Sequence, residues 1–297
     1  MPSRPGRRAR PFLSTLAGLA LCFTFAPPAR AHVGLHDQIE ELDVLISQDP
    51  RAAGLYIRRG ELRRVQGELD LALRDFERAL ALDPSSAEPA FHVGRTLLEM
   101  GRAADAVELI DLSLRARSDD PAALFVRGRA LAKLGRHMEA ASDFTGAIRA
   151  HELSNPPQPD LYLELASAQT AAGPQHLEEA LRGLEEGIGR LGPAVSLQLA
   201  AIDLEVRLGR HDAALVRLDA AASRSRNQAR WLARRGEILE AAGRPSEARA
   251  AFVAALESLG AMPERRRASA TVAALEASVR DALARLPAVG DVSGVGR

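Results

Sequence analysis

Residues 53–86 read AGLYIRRGELRRVQGELDLALRDFERALALDPSS, and their pattern of small residues returns along the chain. Glycines lie at positions 67, 101, 135, 173, 209 and 243, and alanines lie at 72, 106, 140, 180, 214 and 248. Most successive glycines and most successive alanines are as far apart as positions 67 and 101, and the longer intervals are those from 135 to 173, from 173 to 209 and from 140 to 180. Such a period is typical of a repeat architecture, in which each unit packs on its neighbours.

The small residues suit two antiparallel helices joined by a tight turn. Gly67 comes where the first helix ends, because glycine adopts the left-handed conformation without a Cβ clash. Gly60 and Ala72 have almost no side chain and allow the helices to approach closely. Phe76, one helical turn after Ala72, fills the seam between them. The matching early positions are Gly94, Gly128, Ala166, Ile202 and Gly236, and matching large residues are Phe144, Leu184, Leu218 and Phe252.

This pattern resembles that of the tetratricopeptide repeat (TPR) family. The match in the first unit consists of Tyr56, Gly60, Ala72, Phe76, Ala79 and Pro84, and the pattern recurs over residues 53–259. The resemblance implies an all-α, right-handed TPR α-solenoid of about six helix-turn-helix repeats with a concave groove lined by the first helices. The units are 53–86, 87–120, 121–154, 159–194, 195–228 and 229–260. Gly187 and Ile202 depart from the pattern, so we expect distortion in units four and five.

Capping helices are predicted at both ends of the array, because a solenoid must cover its terminal apolar faces. Residues 32–52 contain an N-terminal capping helix over 36–48, and residues 261–286 contain a C-terminal one over about 264–286. The apolar stripe of the latter is Val272, Leu275, Val279, Leu283 and Leu286. Residues 287–297 are rich in glycine and proline, which predicts a flexible tail.

The N-terminal segment 1–31 has the pattern of a signal peptide. It carries several arginines and no acidic residue, and an apolar stretch covers residues 12–26. That stretch is shorter than the roughly 20 residues of a spanning helix. Ala29-Arg30-Ala31 offers a small-x-small site, so we expect cleavage between Ala31 and His32, a periplasmic or secreted location, and no membrane span afterwards. A lipidated Cys22 is a weaker alternative, because Leu21 is not the small residue expected before it.

Charge and composition argue against several functions. The whole chain has 39 basic and 39 acidic residues, and removal of residues 1–31 leaves 34 basic and 39 acidic, a net charge of −5. A negative chain with few aromatic residues is poorly suited to nucleic acid. Residues 187–192 match G-x-G-x-x-G, but they end a repeat helix and no strand precedes them. We therefore expect no enzyme activity and no cofactor.

The resemblance to TPR proteins implies that the groove binds a partner protein or peptide. The candidate partner-binding residues are Glu61, Phe91, Arg95, Phe125, Arg129 and Lys133. Phe91 and Arg95 recur one repeat later as Phe125 and Arg129, which predicts a short ladder of rings and guanidinium groups. In the alternative interpretation, both phenylalanines pack between units. The lysines and asparagines with which chaperone-binding TPRs hold a carboxylate are replaced at the first two places by Ile57 and Glu61.

A second functional hypothesis concerns the mature N-terminus. His32 would become the first residue, and its amino group and imidazole, with His36 about one helical turn away, would suit copper or a similar ion. A metal-handling protein is therefore the alternative to a scaffold that binds a partner protein. The other interpretation of these histidines is a flexible terminus with two solvated side chains.

Some charged residues have a structural explanation. Arg59 and Asp75 are separated by the same interval as Arg127 and Asp143, whereas the matching places in unit two are Val93 and Leu109. Because the opposite charges occur together and vanish together, we expect an ion pair between the two helices of units one and three.

Overall fold

The computed structural model describes residues 34–151, 158–223, 225 and 228–287. The predicted signal segment 1–31, His32 and the tail residues 288–297 lie outside this range. The helices are α1 (Leu35–Gln48), α2 (Ala53–Val65), α3 (Leu69–Leu82), α4 (Ala87–Glu99), α5 (Ala103–Ala116), α6 (Pro121–Lys133), α7 (His137–His151), α8 (Pro159–Ala172), α9 (Leu177–Leu191), α10 (Val195–Arg207), α11 (His211–Ala222), α12 (Gln228–Ala241), α13 (Pro245–Gly260), α14 (Glu264–Arg267) and α15 (Ala270–Arg285). Over the described residues, no helix is both long and apolar enough to cross a membrane.

The helices pack in sequential pairs, which confirms the all-α TPR solenoid fold. Each unit pairs its first helix with its second, as α2 does with α3 and α4 with α5. The second helix then contacts the first helix of the next unit. The first helices α2, α4, α6, α8 and α10 also contact one another in turn, and we call this row the first-helix wall. The N-terminal helix α1 packs on α2, and α15 packs on α13.

The turn glycines have the conformation that the sequence predicts. Gly67 has a φ of +84°, and Gly101 and Gly135 have φ values of +83° and +76°. The amide of Gly67 donates to the carbonyl of Arg64, and the next amide, that of Glu68, donates to the carbonyl of Arg63. These bonds use backbone groups that the end of α2 leaves without helical partners.

The early glycines are places of close helix contact, as predicted. A Cβ added at Gly60 would lie 2.6 Å from the ring of Phe76, and one at Gly128 would lie 2.7 Å from the ring of Phe144. In unit two the corresponding contact joins Gly94 to Ile110, also at 2.7 Å. The large side chain of the second helix therefore occupies the space that a side chain on the first helix would need.

Unit four has a further close contact, at the places that Tyr56 and Ala79 occupy in unit one. Its first helix carries the large residue, Tyr162, and its second helix carries the glycine, Gly187. A Cβ at Gly187 would lie 2.7 Å from the Tyr162 ring, which is buried. At the other pair of places, unit four has Ala166 and Leu184 where units one and three have glycine and phenylalanine.

The predicted C-terminal helix over 264–286 is wrong in one respect, because it is interrupted. The helices α14 and α15 are separated at Ala268 and Ser269, where the hydroxyl of Ser269 accepts from the amide of Val272 and caps α15. A serine at this position competes for backbone hydrogen bonds and favours a new helix start. At the other end of α15, the guanidinium of Arg249 donates to the carbonyl of Leu286 at 2.7 Å.

The predicted ion pairs of units one and three are confirmed. Arg59 donates through Nε to Asp75 at 3.0 Å, and Arg127 donates through Nε to Asp143 at 2.8 Å. Asp75 and Asp143 are only 3% and 6% exposed. Hydrogen bonds to these aspartates raise the pKa of both arginines despite partial burial. Each pair therefore places a carboxylate inside the stack with its charge compensated.

Each of these arginines also reaches the preceding second helix. Arg59 donates to Asp43 of α1, and Arg127 donates to Asp111 of α5 at 2.6 Å. One guanidinium thus joins three consecutive helices, and its two aspartates lie at equal distances along the chain on either side of it. The spacing of charges in the sequence predicts only the partner within the same unit.

Candidate partner-binding surface

The predicted binding residues lie on three neighbouring helices of the first-helix wall. Glu61 is on α2, Phe91 and Arg95 are on α4, and the rest are on α6. The structure brings Glu61 and Arg95 together in an ion pair. It places Arg129 beside Glu164 of α8, with Nε 3.3 Å from the carboxylate. Lys133 is exposed at the end of α6.

Glu61 is the centre of a charged group that spans α2 and α4. Its Oε1 atom accepts from Arg95 and lies 2.8 Å from Nδ1 of His92, and its Oε2 atom lies 3.3 Å from Arg64. Arg64 also donates to Glu99 at 2.9 Å. We call these five residues the Glu61 cluster.

Sequence reasoning missed His92 as a member of this surface. Its imidazole stacks on the seam residue Phe76 with ring centroids 4.9 Å apart and an angle of 17° between the planes. The available signal was its spacing, because a residue three positions before Arg95 lies on the same helical face. His92 therefore connects the binding surface with the core of unit one.

The environment of Glu61 strongly favours its charged form. Burial by itself raises the pKa of this carboxyl, but hydrogen bonding with His92, the charge of Arg95 and hydrogen bonding with Arg64 outweigh it. Together they lower the pKa of Glu61 to about 2. The cluster thus presents a compensated ion network rather than a free acid.

We expect the stabilising effect of Glu61 to disappear in acid. A carboxyl whose pKa is lower in the folded state stabilises the protein above its unfolded-state pKa, about 4.3, and loses that effect as the pH falls through the folded value. Urea unfolding of wild type and Glu61→Gln should therefore differ most above about pH 5 and converge towards pH 2. A constant difference in the free energy of unfolding across this range would contradict the low pKa.

The ladder of rings and guanidinium groups is present in the geometry. The Cζ atom of Arg95 lies 5.3 Å from the Phe91 ring centroid, and that of Arg129 lies 5.8 Å from the Phe125 ring centroid. Both phenylalanines are half-buried and pack against the core. Phe125 also approaches Phe144, with ring centroids 5.8 Å apart. Each ring thus packs against the core and carries an arginine on the wall.

A groove at the N-terminal end of the wall adjoins the Glu61 cluster. It has a volume of about 640 Å³ and lies between α1, α2 and α4, and we call it the N-terminal groove. Its apolar lining residues are Leu42, Leu45, Ile57 and Leu62. Its polar and charged lining residues are Gln38, Glu41, Arg58, Glu61, Glu88 and His92. The contribution of the capping helix α1 to this surface was not predicted.

The histidines proposed for a metal are not assembled in the described part of the chain. His36 is exposed, and its Nε2 atom lies 3.2 Å from Glu40. Within the described ranges, no group of three or more histidine, cysteine, aspartate or glutamate side chains is placed to hold a metal ion. His32 lies outside those ranges.

Solved structures with the same fold come from several bacterial proteins. A tetratricopeptide repeat protein from Parabacteroides merdae aligns with a TM-score of 0.53 and 19% identity, covering 83% of this chain and 92% of that one. PilW, a type IV pilus biogenesis factor, aligns with a TM-score of 0.55 and 21% identity, covering 64% of this chain and 86% of that one. Pseudomonas aeruginosa pilF aligns with a TM-score of 0.53 and 17% identity, covering 81% of this chain and 99% of that one. These similarities establish the fold.

Comparison with family models gives the family itself. A tetratricopeptide repeat model matches residues 65–134, and another matches residues 39–87 and 125–184. A model for a tetratricopeptide repeat-like domain matches residues 160–276. No curated protein sequence matches the chain. Since these matches follow one another along the array of helix pairs, the chain is a tetratricopeptide repeat protein.

Proposed function

We propose that this chain is an extracytoplasmic, non-enzymatic scaffold that holds a segment of a partner protein on the first helices of units one to three. TPR proteins are generally scaffolds without catalytic activity, and their stacked repeats offer extended surfaces to other proteins. The observation that carries the proposal is the N-terminal groove of about 640 Å³, which opens beside the Glu61 cluster.

The chemistry of this surface supports a protein segment as the ligand. Leu42, Ile57 and Leu62 offer apolar contact at one end of the wall. Arg95 and Arg129 lie over aromatic rings further along it. Arginine and aromatic residues are the types that contribute most of the binding energy at interfaces between proteins. A segment with apolar side chains at the groove and acidic side chains further along the wall would match this surface.

The location is supported by the N-terminal sequence. The basic start, the apolar stretch over 12–26 and the Ala29-Arg30-Ala31 site favour export and cleavage before His32. Mass spectrometry of the protein from an envelope fraction should accordingly give a chain that begins at His32. Recovery from the cytoplasm with residues 1–31 attached would contradict this part of the proposal.

Binding is tested by charge reversal at the exposed end of the ladder. We expect Arg129→Glu with Lys133→Glu to reduce partner recovery from an envelope extract by about tenfold or more, since each well-placed charged contact contributes about 1.5–3 kcal/mol. Arg95 is left unchanged because its loss would leave the carboxylate of Glu61 short of a partner.

The matched control reverses two charges away from the wall. Arg102→Glu with Arg136→Glu alters arginines beside the starts of second helices, each paired with an acid three positions later. Their side chains are 54% and 48% exposed, against 48% for Arg129. We expect this control to recover the partner normally. Equal recovery by both folded double variants would remove Arg129 and Lys133 from the site.

A further inference from the structure

The helix α1 has the position of a second helix in the repeat. Its bounds, Leu35–Gln48, lie one repeat before those of α3, Leu69–Leu82. The pair Asp49-Pro50 that follows α1 likewise corresponds to Asp83-Pro84 after α3. Within the described part of the chain, however, no first helix precedes α1. The array therefore begins with a second helix whose own first helix is not among the described residues.

The α1 side of the N-terminal groove has the places that hold a first helix in unit one. It is lined by Gln38, Glu41, Leu42 and Leu45. One repeat later these places are all buried residues of α3, namely Ala72, Asp75, Phe76 and Ala79. Asp75 accepts hydrogen bonds from Arg59 and Arg63 of α2. The ring of Phe76 lies against Gly60 of the same helix.

The α2 side of the groove shows the same correspondence. It is lined by Ile57, Arg58, Glu61 and Leu62. One repeat later these places belong to α4, as Phe91, His92, Arg95 and Thr96. His92 and Arg95 both contact Glu61 of the preceding first helix. Since both sides of the groove repeat the surroundings of α2, the groove has the shape and position of the space for one further first helix.

The charge of Glu41 specifies one group on a helix in this space. Glu41 is exposed, and it forms no ion pair with any residue that the structure describes. Its equivalent, Asp75, pairs with Arg59 and Arg63, which stand one position before Gly60 and three positions after it. A lysine or arginine at either of these places would meet Glu41, and such charge-assisted contacts are strong.

The size of Leu42 specifies the residue between those two places. Leu42 has the position of Phe76, as Leu184 does in unit four, where Ala166 takes the place of Gly60. Glycine or alanine there allows two helices to approach closely, whereas a larger side chain would overpack the contact. The groove thus suits a helix with a small residue beside a basic one.

Residues 19–31, one repeat before α2, are a poor source of this helix. They include Pro27 and Pro28, and proline is excluded from the interior of an uninterrupted helix. The expected cleavage before His32 would also remove them.

A second copy of the chain is a poor source as well. Its helices with an arginine directly before the early glycine are α2, α6 and α12. In each of them, a phenylalanine of the unit's own second helix already lies against that glycine. A helix from a different protein meets neither obstacle.

We propose that the N-terminal groove binds an α-helix of a partner protein in the position of a first helix, with a lysine or arginine against Glu41 and a glycine or alanine against Leu42. Apolar residues on the same face of the partner helix contact Leu45 and Ile57. This inference rests on the proposed function, because it names the kind of segment that the groove holds.

The steric part of the proposal is tested with two fluorescein-labelled peptides and the mature chain, by fluorescence anisotropy. The first peptide, AGLYIRRAELRRV, is the sequence of α2 with alanine at the place of Gly60. In the second, AGLYIRRLELRRV, leucine replaces this alanine, which preserves helix propensity but adds bulk against Leu42. We expect the alanine peptide to bind about tenfold more tightly than the leucine peptide.

The charge part is tested by Glu41→Arg, with Glu40→Arg as the matched control. Glu40 is a neighbouring exposed residue of α1 that does not line the groove. Glu41→Arg should weaken the alanine peptide about tenfold, because repulsion replaces attraction. It should tighten a third peptide, AGLYIREAELERV, which has glutamate at the places of Arg59 and Arg63. Glu40→Arg should change each affinity by less than about threefold, as at exposed charges in general.

Three results would overturn the proposal. They are equal affinity of the alanine and leucine peptides, equal weakening of the alanine peptide by Glu41→Arg and Glu40→Arg, and self-association of the mature chain in analytical ultracentrifugation that Glu41→Arg abolishes. The last result would assign the groove to a second copy.

The pull-down from envelope extract separates this inference from the proposed function. If Arg129→Glu with Lys133→Glu reduces partner recovery while no peptide binds the groove, the scaffold function stands and the helix proposal is wrong. If the alanine peptide binds as described while the two double variants recover the partner equally, the groove binds a helix without the wall residues of unit three.

Discussion

Gly128→Ala is expected to lower the free energy of unfolding by about 2 kcal/mol, within the roughly 1–3 kcal/mol usual for overpacking a core. The added Cβ would lie 2.7 Å from Cε1 of Phe144, a ring with no exposed surface. Neither α6 nor the ring can move without disturbing its neighbours in the stack, because closely packed interiors transmit such strain. Urea or heat denaturation of the purified chain measures the effect.

A second substitution should relieve this clash. Phe144→Leu in the Gly128→Ala background recreates the Ala166 and Leu184 combination that unit four already uses. The double variant should therefore lose about 1 kcal/mol less than the sum of the two single variants.

Gly189→Ala is the control, because a Cβ added at this position of helix α9 meets nothing within 4 Å. It should raise stability by about 0.5–1 kcal/mol, as alanine does over glycine in a helix. If Gly128→Ala raised stability in the same way, that result would contradict the close approach of α6 and α7 at this glycine.

Asp143→Ala is expected to lower the free energy of unfolding by about 2–3 kcal/mol, because Arg127 loses its buried partner and keeps only the half-exposed Asp111. It removes the carboxylate that accepts two bonds from Arg127 and leaves that guanidinium partly buried. Arg127→Leu with Asp143→Leu should cost less, because no buried charge loses its partner and apolar groups fill the volume. The Asp111 carboxylate left by this double variant is 42% exposed, so water can solvate it.

Asp111→Ala provides the control for the Asp143 experiment. It removes the other acid on the same arginine, but from a half-exposed site, where an ion pair contributes about 0–1 kcal/mol. Denaturant unfolding of the three variants should give the largest loss for Asp143→Ala. An equal loss for Asp143→Ala and for the double leucine variant would show that the unpaired charge is not the cause.

The pairing of helices could be predicted because its causes are local and repeat. Gly60 and Phe76 belong to the same unit, and their spacing recurs between Gly128 and Phe144. The same glycine and phenylalanine contact occurs in several units, so the pattern remains recognisable despite substitutions elsewhere. The ion pair of Arg59 with Asp75 was found in the same way, by comparing units.

Contacts between units were harder to predict. The bond from Arg59 to Asp43 and the approach of His92 to Glu61 depend on how neighbouring helices are placed. Their residues lie in different units, and neither contact is copied in every unit. The break before Ser269 was missed for a related reason, because an apolar stripe predicts which side of a helix is buried but not where the helix starts.

Glycine and alanine at a regular interval suffice to specify a stack of paired helices, because they satisfy steric conditions that act within a single repeat. Which charged groups find hydrogen-bond partners for all their atoms depends instead on how neighbouring helices pack. Glu61 acquires three partners and Glu205 keeps one oxygen without any, although both are glutamates on first helices. The difference arises because hydrogen bonding and burial depend on which side chains a neighbouring helix brings within about 3 Å.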